Sequence, residues 1–472
     1  MAAHTGGAQQ PKSSNPSSVQ RVTAIAVIMF AVITLGGAAG NFSQTAINAL
    51  LVDVRNDFGV DIDTSQLLTT VFMLVVGITV PVVTYVSKRL SMRNLLNISW
   101  LILAVGSLIN YLTWNFWFFL FGRILQAIAT GIAMPVGMTF AMLNFPANRQ
   151  GTAMGLSGIA MGFAPNVGPL IGGAFSESVG WRYFFLLMML ISVLLFVATC
   201  IFCKKEPNHP EAGSLDSISV LLSTFGFGGI LLGCSNASSH ELSSLTIWIP
   251  LVIGVIGIVL FVRRQKCSED PLINLDIFKS YRFKNGFFLQ NALTGSFMGI
   301  LLIIPVFIAN PWGGTAVDSG LVFIPTAVVA GIFNPLAGIL SDKIGARRVM
   351  LAACVFLLFG SISMVFIDAD TPLWVIAALQ GVRAMGISSC MSPMFQWSLS
   401  DLPREIVMDG SSFNNTVRQC FGAIYSAIMV FFIVFFGSME GVDPVFGYHL
   451  AFGLSAVLAI ATSLIVLLKV RV

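Results

Sequence analysis

Apolar runs of about 20 residues, each long enough to cross a bilayer, recur fourteen times along this chain and are separated mostly by short polar connections. The first covers residues 22–51 and the sixth ends at 203; two more follow at 217–235 and 245–262, then six between 286 and 468. Each run must be a helix, because a helix satisfies its own backbone hydrogen bonds whereas an open strand in lipid cannot. The pattern therefore predicts an all-α polytopic membrane protein. Its expected divisions are a disordered cytoplasmic tail at 1–21, a six-helix half at 22–203, two extra helices with their linkers at 204–284, and a second six-helix half at 285–472.

Charge orients the pattern. Of 25 Lys and Arg, 20 fall in the tails and in the loops after even-numbered runs. Cytoplasmic loops retain positive charge, so both termini are expected to be cytoplasmic. Only Arg55 and Arg182 fall in the opposite loops, and Arg123, Arg383 and Arg418 lie inside apolar runs. With 56% hydrophobic and 10% charged residues, the chain leaves no room for a soluble catalytic domain. Its net charge of +4 is scattered among loops rather than gathered in a stripe, which excludes a nucleic-acid surface. His4, His209, His240 and His449 sit in tails, loops or a span edge, so no intramembrane metal or acid–base site is expected, nor a cofactor, an enzyme activity or an obligatory protein partner. Cys200 and Cys203 form a lone C-x-x-C and read as ordinary span-end residues. The run after Arg21 is longer than the core of a signal peptide and is expected to remain as the first span.

One loop occurs twice. After the tenth run the chain reads Gly338-Ile-Leu-Ser-Asp342-Lys343-Ile-Gly345-Ala-Arg347-Arg348, and after the second Thr84-Tyr-Val-Ser-Lys88-Arg89-Leu-Ser91-Met-Arg93-Asn94. A repeat at corresponding places in two six-helix halves is the internal symmetry of a secondary transporter that rocks about a central site.

The second copy resembles the cytoplasmic loop motif of the major facilitator superfamily, G-x-L-x-D-R/K-x-G-R/x-R-R. The resemblance implies a gate at Gly338, Asp342, Lys343, Gly345, Arg347 and Arg348, with Asp342 and the basic residues forming a charge network. The first copy keeps Arg89 and Arg93 but carries Lys88 at the acidic position and Ser91 at the glycine. In the fifth run, Gly155-x8-Ala164-x3-Gly168-Pro169-x2-Gly172-Gly173 is similar to the antiporter motif of the superfamily's fourteen-helix drug:proton exporters. Small residues let helices approach closely and proline interrupts the hydrogen-bond ladder, so this run reads either as a bending, sliding interface or as a packing seam. In the fourth run, Arg123-Ile-Leu-Gln126 with Thr130, Gly131 and Pro135 is similar to the family pattern R-x-x-Q-G-x-G, where the arginine is assigned to proton transfer. Structural pairing with carbonyls is the other reading of a membrane-depth arginine.

The first run departs from the family. Ser43 in Phe42-Ser43-Gln44-Thr45-Ala46-Ile47-Asn48 stands where those exporters carry an acid, and none of the 21 Asp and Glu lies well inside a run. Asp53, Asp57, Asp318 and Asp409 lie at margins. The family fold implies a cavity lined by the first, fourth, ninth and twelfth helices, which gives Asn41, Gln44, Asn48, Gln126, Gln290, Asn291, Gln380, Arg383 and Gln396 as cavity candidates, with Arg123 and Arg383 on opposite walls. The thirteenth run carries Asn414, Asn415, Arg418 and Gln419 at the expected interface between halves, where Arg418 fits a structural or a functional role. Two arginines without acids favour anionic, zwitterionic or neutral amphiphiles over multivalent cations. The resemblance as a whole implies a major facilitator fold of 14 helices in a bacterial plasma membrane, exporting small amphiphiles from the bilayer while protons enter. The alternative is an exporter or flippase of a native lipid, peptide or metabolite, not coupled to protons through an embedded carboxylate.

Overall fold

The computed structural model describes residues 24–203, 216–237, 244–268, 271–314, 316–437, 443 and 445–470. The expected tail at 1–21 and most of the linker that opens the 204–284 segment lie outside the described residues. The first half consists of α1 (Ala24–Phe58), α2 (Ile62–Arg89), α3 (Met92–Leu112), α4 (Phe116–Asn144), α5 (Gln150–Gly158), α6 (Ala164–Ser178) and α7 (Trp181–Phe202). α5 and α6 are one span, joined by a π turn over Ile159–Phe163. The extra pair is α8 (Ser217–Ala237) and α9 (Leu245–Cys267). The second half is α10 (Tyr281–Ala309), α11 (Ala316–Ile344), α12 (Ala346–Ser363), α13 (Leu373–Leu399), α14 (Val407–Gly437) and α15 (Phe446–Lys469). Among the described residues 13 helices are individually long and apolar enough to cross a membrane. The interrupted α5–α6 span, residues 150–178, supplies the fourteenth.

Helices outrun their apolar stretches, since a backbone ladder continues into water wherever side chains allow. α1 runs 35 residues to Phe58 rather than ending at 51, so Asp53 and Asp57 ride on the helix instead of in a loop. α14 begins at Val407, four residues before the predicted start, which puts Asp409 in its first turn. Starts are fixed by polar caps: Asn115 accepts from the Phe118 amide at 2.8 Å ahead of α4, and Ser280 from the Phe283 amide at 3.2 Å ahead of α10.

Lipid is as apolar as leucine, so these helices associate through close packing of small residues rather than by hydrophobic exclusion from water. In the α8–α9 hairpin a Cβ on Gly229 would meet the Pro250 carbonyl oxygen at 2.6 Å, and one on Gly226 the Ile258 amide at 2.9 Å. The hairpin docks on α2 and α14, with Thr70 and Ser235 hydroxyls 2.9 Å apart. It therefore covers one seam between the halves, while α5 against α11 and α13 forms the other.

Candidate functional site

Two buried arginines knot each half to itself. Arg123, on the fourth span, donates through Nη1 to the Ser43 carbonyl at 3.0 Å, the Ser43 hydroxyl at 2.9 Å and Gln126 Oε1 at 2.9 Å. Its guanidinium lies 4.3 Å from the centre of the Phe72 ring. Arg383, on the fourth helix of the second half, donates to the Ser296 carbonyl, to Gln380 Oε1 at 3.1 Å and to Ser455 Oγ at 3.4 Å. Both are fully buried, at 0% and 1% exposure, which decides that neither is open to solvent. Each ties its helix to the carbonyl of a serine on the first helix of the same half, and Nε of each has no partner. No ion pair among the described residues reaches either of them.

Two small voids flank the π turn of the fifth span. One, of about 10 Å³, is lined by Asn166, Phe297, Thr326, Gln380 and Arg383 among others. The second, of about 20 Å³, is lined by Asn41, Met134, Met138 and Ser157 among others. A water needs roughly 10–15 Å³, so neither void admits more than a water or so in this closed conformation. The side-chain hydroxyl of Thr326 and Oδ1 of Asn166 have no hydrogen-bond partner there.

The halves touch closely where glycines of the fifth span cross α11. A Cβ on Gly155 would lie 2.7 Å from the Asn334 carbonyl oxygen and 3.1 Å from Gly338 Cα. Gly158 and Gly162 sit over the Asn334 side chain in the same way, at 2.6 Å and 2.8 Å. The antiporter motif divides its labour: Gly155 faces the other half, whereas Gly168 and Gly172 pack on Thr45 and Ala46 of α1 in their own half. Gly173 has open space and Pro169 is exposed.

At the end carrying the basic loops, Asp342 closes the interface, though not as the sequence implies. Its carboxylate accepts from the Gly151 amide at 2.8 Å, the Thr152 amide at 2.7 Å and the Thr152 hydroxyl at 2.6 Å, and from Gln396 Nε2 at 3.3 Å. These are the first-turn donors of α5, so Asp342 caps a helix of the opposite half instead of pairing with basic residues. A carboxylate there meets both orphan N–H groups and the positive end of the helix dipole. Lys343 and Arg348 point into solvent, while Arg347 reaches the Leu467 carbonyl at 3.5 Å and Arg93 the Cys200 carbonyl at 2.9 Å, each within its own half. Arg89 lies over the Tyr85 ring. Gly345 takes φ +89°, a conformation that favours glycine, whereas Ser91 at the matching place is extended and caps α3; the first copy has no use for a glycine there.

Several cavity candidates lie elsewhere. Gln396 lies beside Asp342, where it also accepts from Ser341 at 2.8 Å, because it sits three residues from the end of α13. Asn48 is exposed and accepts from Thr69 at 3.2 Å. Asn291 and Asn41 donate back to their own helices, to the carbonyls of Phe287 and Gly37, and Gln290 donates to the Asn414 carbonyl at 3.2 Å. Gln44 is buried. Gln126 is a hub, accepting from Arg123 and Ser43 and donating to Ser107 at 2.8 Å. On α14, Asn415 and Arg418 approach the sulfurs of Met138 and Met134 at 3.6 Å and 4.0 Å, which joins the halves, and Asn414 is buried without a side-chain partner, as is Gln419 Nε2. Sequence reading missed Asn334, Thr326 and Asn166; a lone polar residue in an apolar run was the available signal.

The sequence profile described as Major Facilitator Superfamily matches residues 33–427 and 286–472. The chain belongs to the major facilitator superfamily. Among its relatives in this superfamily, the lincomycin resistance protein LmrB of Bacillus subtilis (strain 168) is 33% identical over 404 residues, 84% of this chain and 83% of LmrB. The uncharacterized MFS-type transporter YcnB of the same organism is 32% identical over 403 residues, 85% of each chain. In three dimensions this superfamily member superposes on the human organic anion transporter MFSD10 (TETRAN) with a TM-score of 0.66 at 12% identity, covering 93% of this chain and 99% of that one, a likeness of fold.

Proposed function

We propose that this major facilitator exports small amphiphilic molecules from a bacterial inner membrane by alternating access, in exchange for protons. The observation that carries the reading is similarity to lincomycin resistance proteins over 84% of this chain, joined to an interface built of closely packed glycines and a helix-capping carboxylate. Under this reading both termini are cytoplasmic, residues 22–203 and 285–472 are the rocking halves, and the closed end at Asp342 is the cytoplasmic gate. Arg123 acts through its field on proton movement, since a guanidinium does not titrate at working pH, and Arg383, Gln380 and Asn41 face the substrate once the voids open. Antibiotic resistance is the expected phenotype.

The absence, among the described residues, of a carboxylate paired with Arg123 or Arg383 favours a second reading, export of a native lipid, peptide or metabolite without proton coupling through an embedded acid. Proteoliposomes with an imposed proton gradient separate the two. Gradient-driven efflux of neutral, anionic and cationic fluorescent amphiphiles that is lost in Arg123→Ala supports the antiporter. Efflux indifferent to the gradient overturns it.

A further inference from the structure

The two gate contacts are related by the internal repeat, and the chain has moved one charge across the interface. In the contact already described, the end of the second helix of one half, at Asp342, meets the N-terminus of the fifth span of the other. The repeat places Lys88 at the position of Asp342. Ahead of α5, Pro146 precedes a three-residue 3-10 turn, Ala147–Arg149; ahead of α14, Pro403 precedes another, Arg404–Ile406. Counted from either proline, Thr152 and Asp409 hold the same position, the third residue of their helix. Thus one contact has an acid facing a threonine and the other a lysine facing an acid.

The second contact is made. Lys88 Nζ lies 3.8 Å from Asp409 Oδ1, and that oxygen accepts from the Asn274 amide at 2.7 Å. Lys88 also reaches the Pro271 carbonyl at 3.5 Å. Asp409 is completely buried, and its Oδ2 has no hydrogen-bond donor. Arg89, Asp276, Lys279, Arg282, Arg404 and Glu405 belong to the segments around it, but among the described residues only Lys88 comes within ion-pair distance. An acid already inside the first turn of α14 satisfies the dipole from within the helix. A second acid at position 88 would face it in a buried site, which explains why the first loop copy lost its acid.

We infer that Lys88 and Asp409 form a charge-inverted counterpart of the Asp342–Thr152 contact, and that the two together hold this gate shut. The inference rests on the alternating-access reading for its role in transport, whereas the gate itself is tested without substrate or gradient. Amide hydrogen exchange is read over 148–156, whose Gly151 and Thr152 amides bond to Asp342 on the other seam, in the full-length protein. Lys88→Asp sets two carboxylates together, and Asp409→Thr leaves an ammonium at the positive end of α14. Each single change is expected to raise exchange over 148–156 about tenfold by favouring the open gate. Lys88→Asp with Asp409→Thr rebuilds the arrangement of the other seam and is expected to return exchange to within about twofold of wild type. A merely local role would alter exchange around Asn274 and leave 148–156 unmoved, and that result overturns the inference. So does a double variant no better protected than the worse single one. If exchange follows the expected cycle while no amphiphile is exported, the export reading falls and the gate stands.

Discussion

Asp342 and Thr152 lie on different halves of the molecule, yet the hydroxyl of one donates to the carboxylate of the other at 2.6 Å. Charge-assisted bonds of this kind contribute about 1.5–3 kcal/mol each, so this single carboxylate is a large part of what keeps the end closed. Asp342→Asn retains the shape and loses the charge. Transport is expected to fall about tenfold with folding intact, measured as efflux alongside thermal unfolding in detergent. A variant that transports like wild type would remove Asp342 from the gate.

Arg123 and Arg383 invite the opposite comparison, of stability. Removing a guanidinium takes a charged donor from the Ser43, Gln126 and Ser296 acceptors. Arg383→Ala removes these charge-assisted bonds and leaves a cavity, so it is expected to cost about 3 kcal/mol of stability, seen as a lowered unfolding temperature. Arg383→Lys keeps the charge without the fork and should recover only part of it.

Gly155 and Gly173 belong to one motif and should answer differently to alanine. At Gly155 the new methyl would press on the backbone of Asn334, Pro335 and Gly338, costing about 1–3 kcal/mol in the closed state. Gly155→Ala is expected to shift the protein toward opening at the basic end and to reduce efflux. Gly173→Ala meets open space and should export at the wild-type rate. Equal loss in both would make the motif a general packing seam.

Asp216, ahead of α8, supplies a pH test outside the spans. Its pair with Arg264 at 2.7 Å, and then its bond to Ser219, hold its carboxyl below the usual range. A depressed folded-state value means the stabilisation is present above the unfolded value near 4 and is lost as pH falls through the folded one. Asp216→Asn should unfold at a lower temperature than wild type from pH 8 down to about 4, with the gap closing only in stronger acid. Arg264 is exposed, so solvent screens the pair and the gap is expected to be small. A gap that closes between pH 6 and 7 would assign the effect to another group.

The fold was legible because lipid reduces the problem to length, hydropathy and loop charge, whereas the Ile159–Phe163 turn lies ahead of Pro169 and was not read from the fifth-span motif. The site was less legible. Gln396 read as a cavity residue because its helix was assigned correctly but its depth was not. Asp409 read as marginal because hydropathy cannot show that a helix begins four residues before its apolar run. Two of the partners of Asp342 are backbone amides, which carry no sequence signature, and the others are the neutral side chains of Thr152 and Gln396, so a charge network was the natural but mistaken expectation.

Residues 271–280, ahead of α10, pack against α14 at the end that carries the basic loops. Leu272, Ile273 and Ile277 are almost completely buried there, Ile273 is anchored by its amide to Gln265 at 3.1 Å, and Phe278 stacks edge-on against Phe413 of α14. This stretch of the link between the halves is thus docked rather than slack, and peeling its three aliphatic side chains into water would cost about 1.5–3 kcal/mol apiece. The tether is therefore part of the packed body of the second half, and the length of chain free to follow any relative motion is correspondingly shorter.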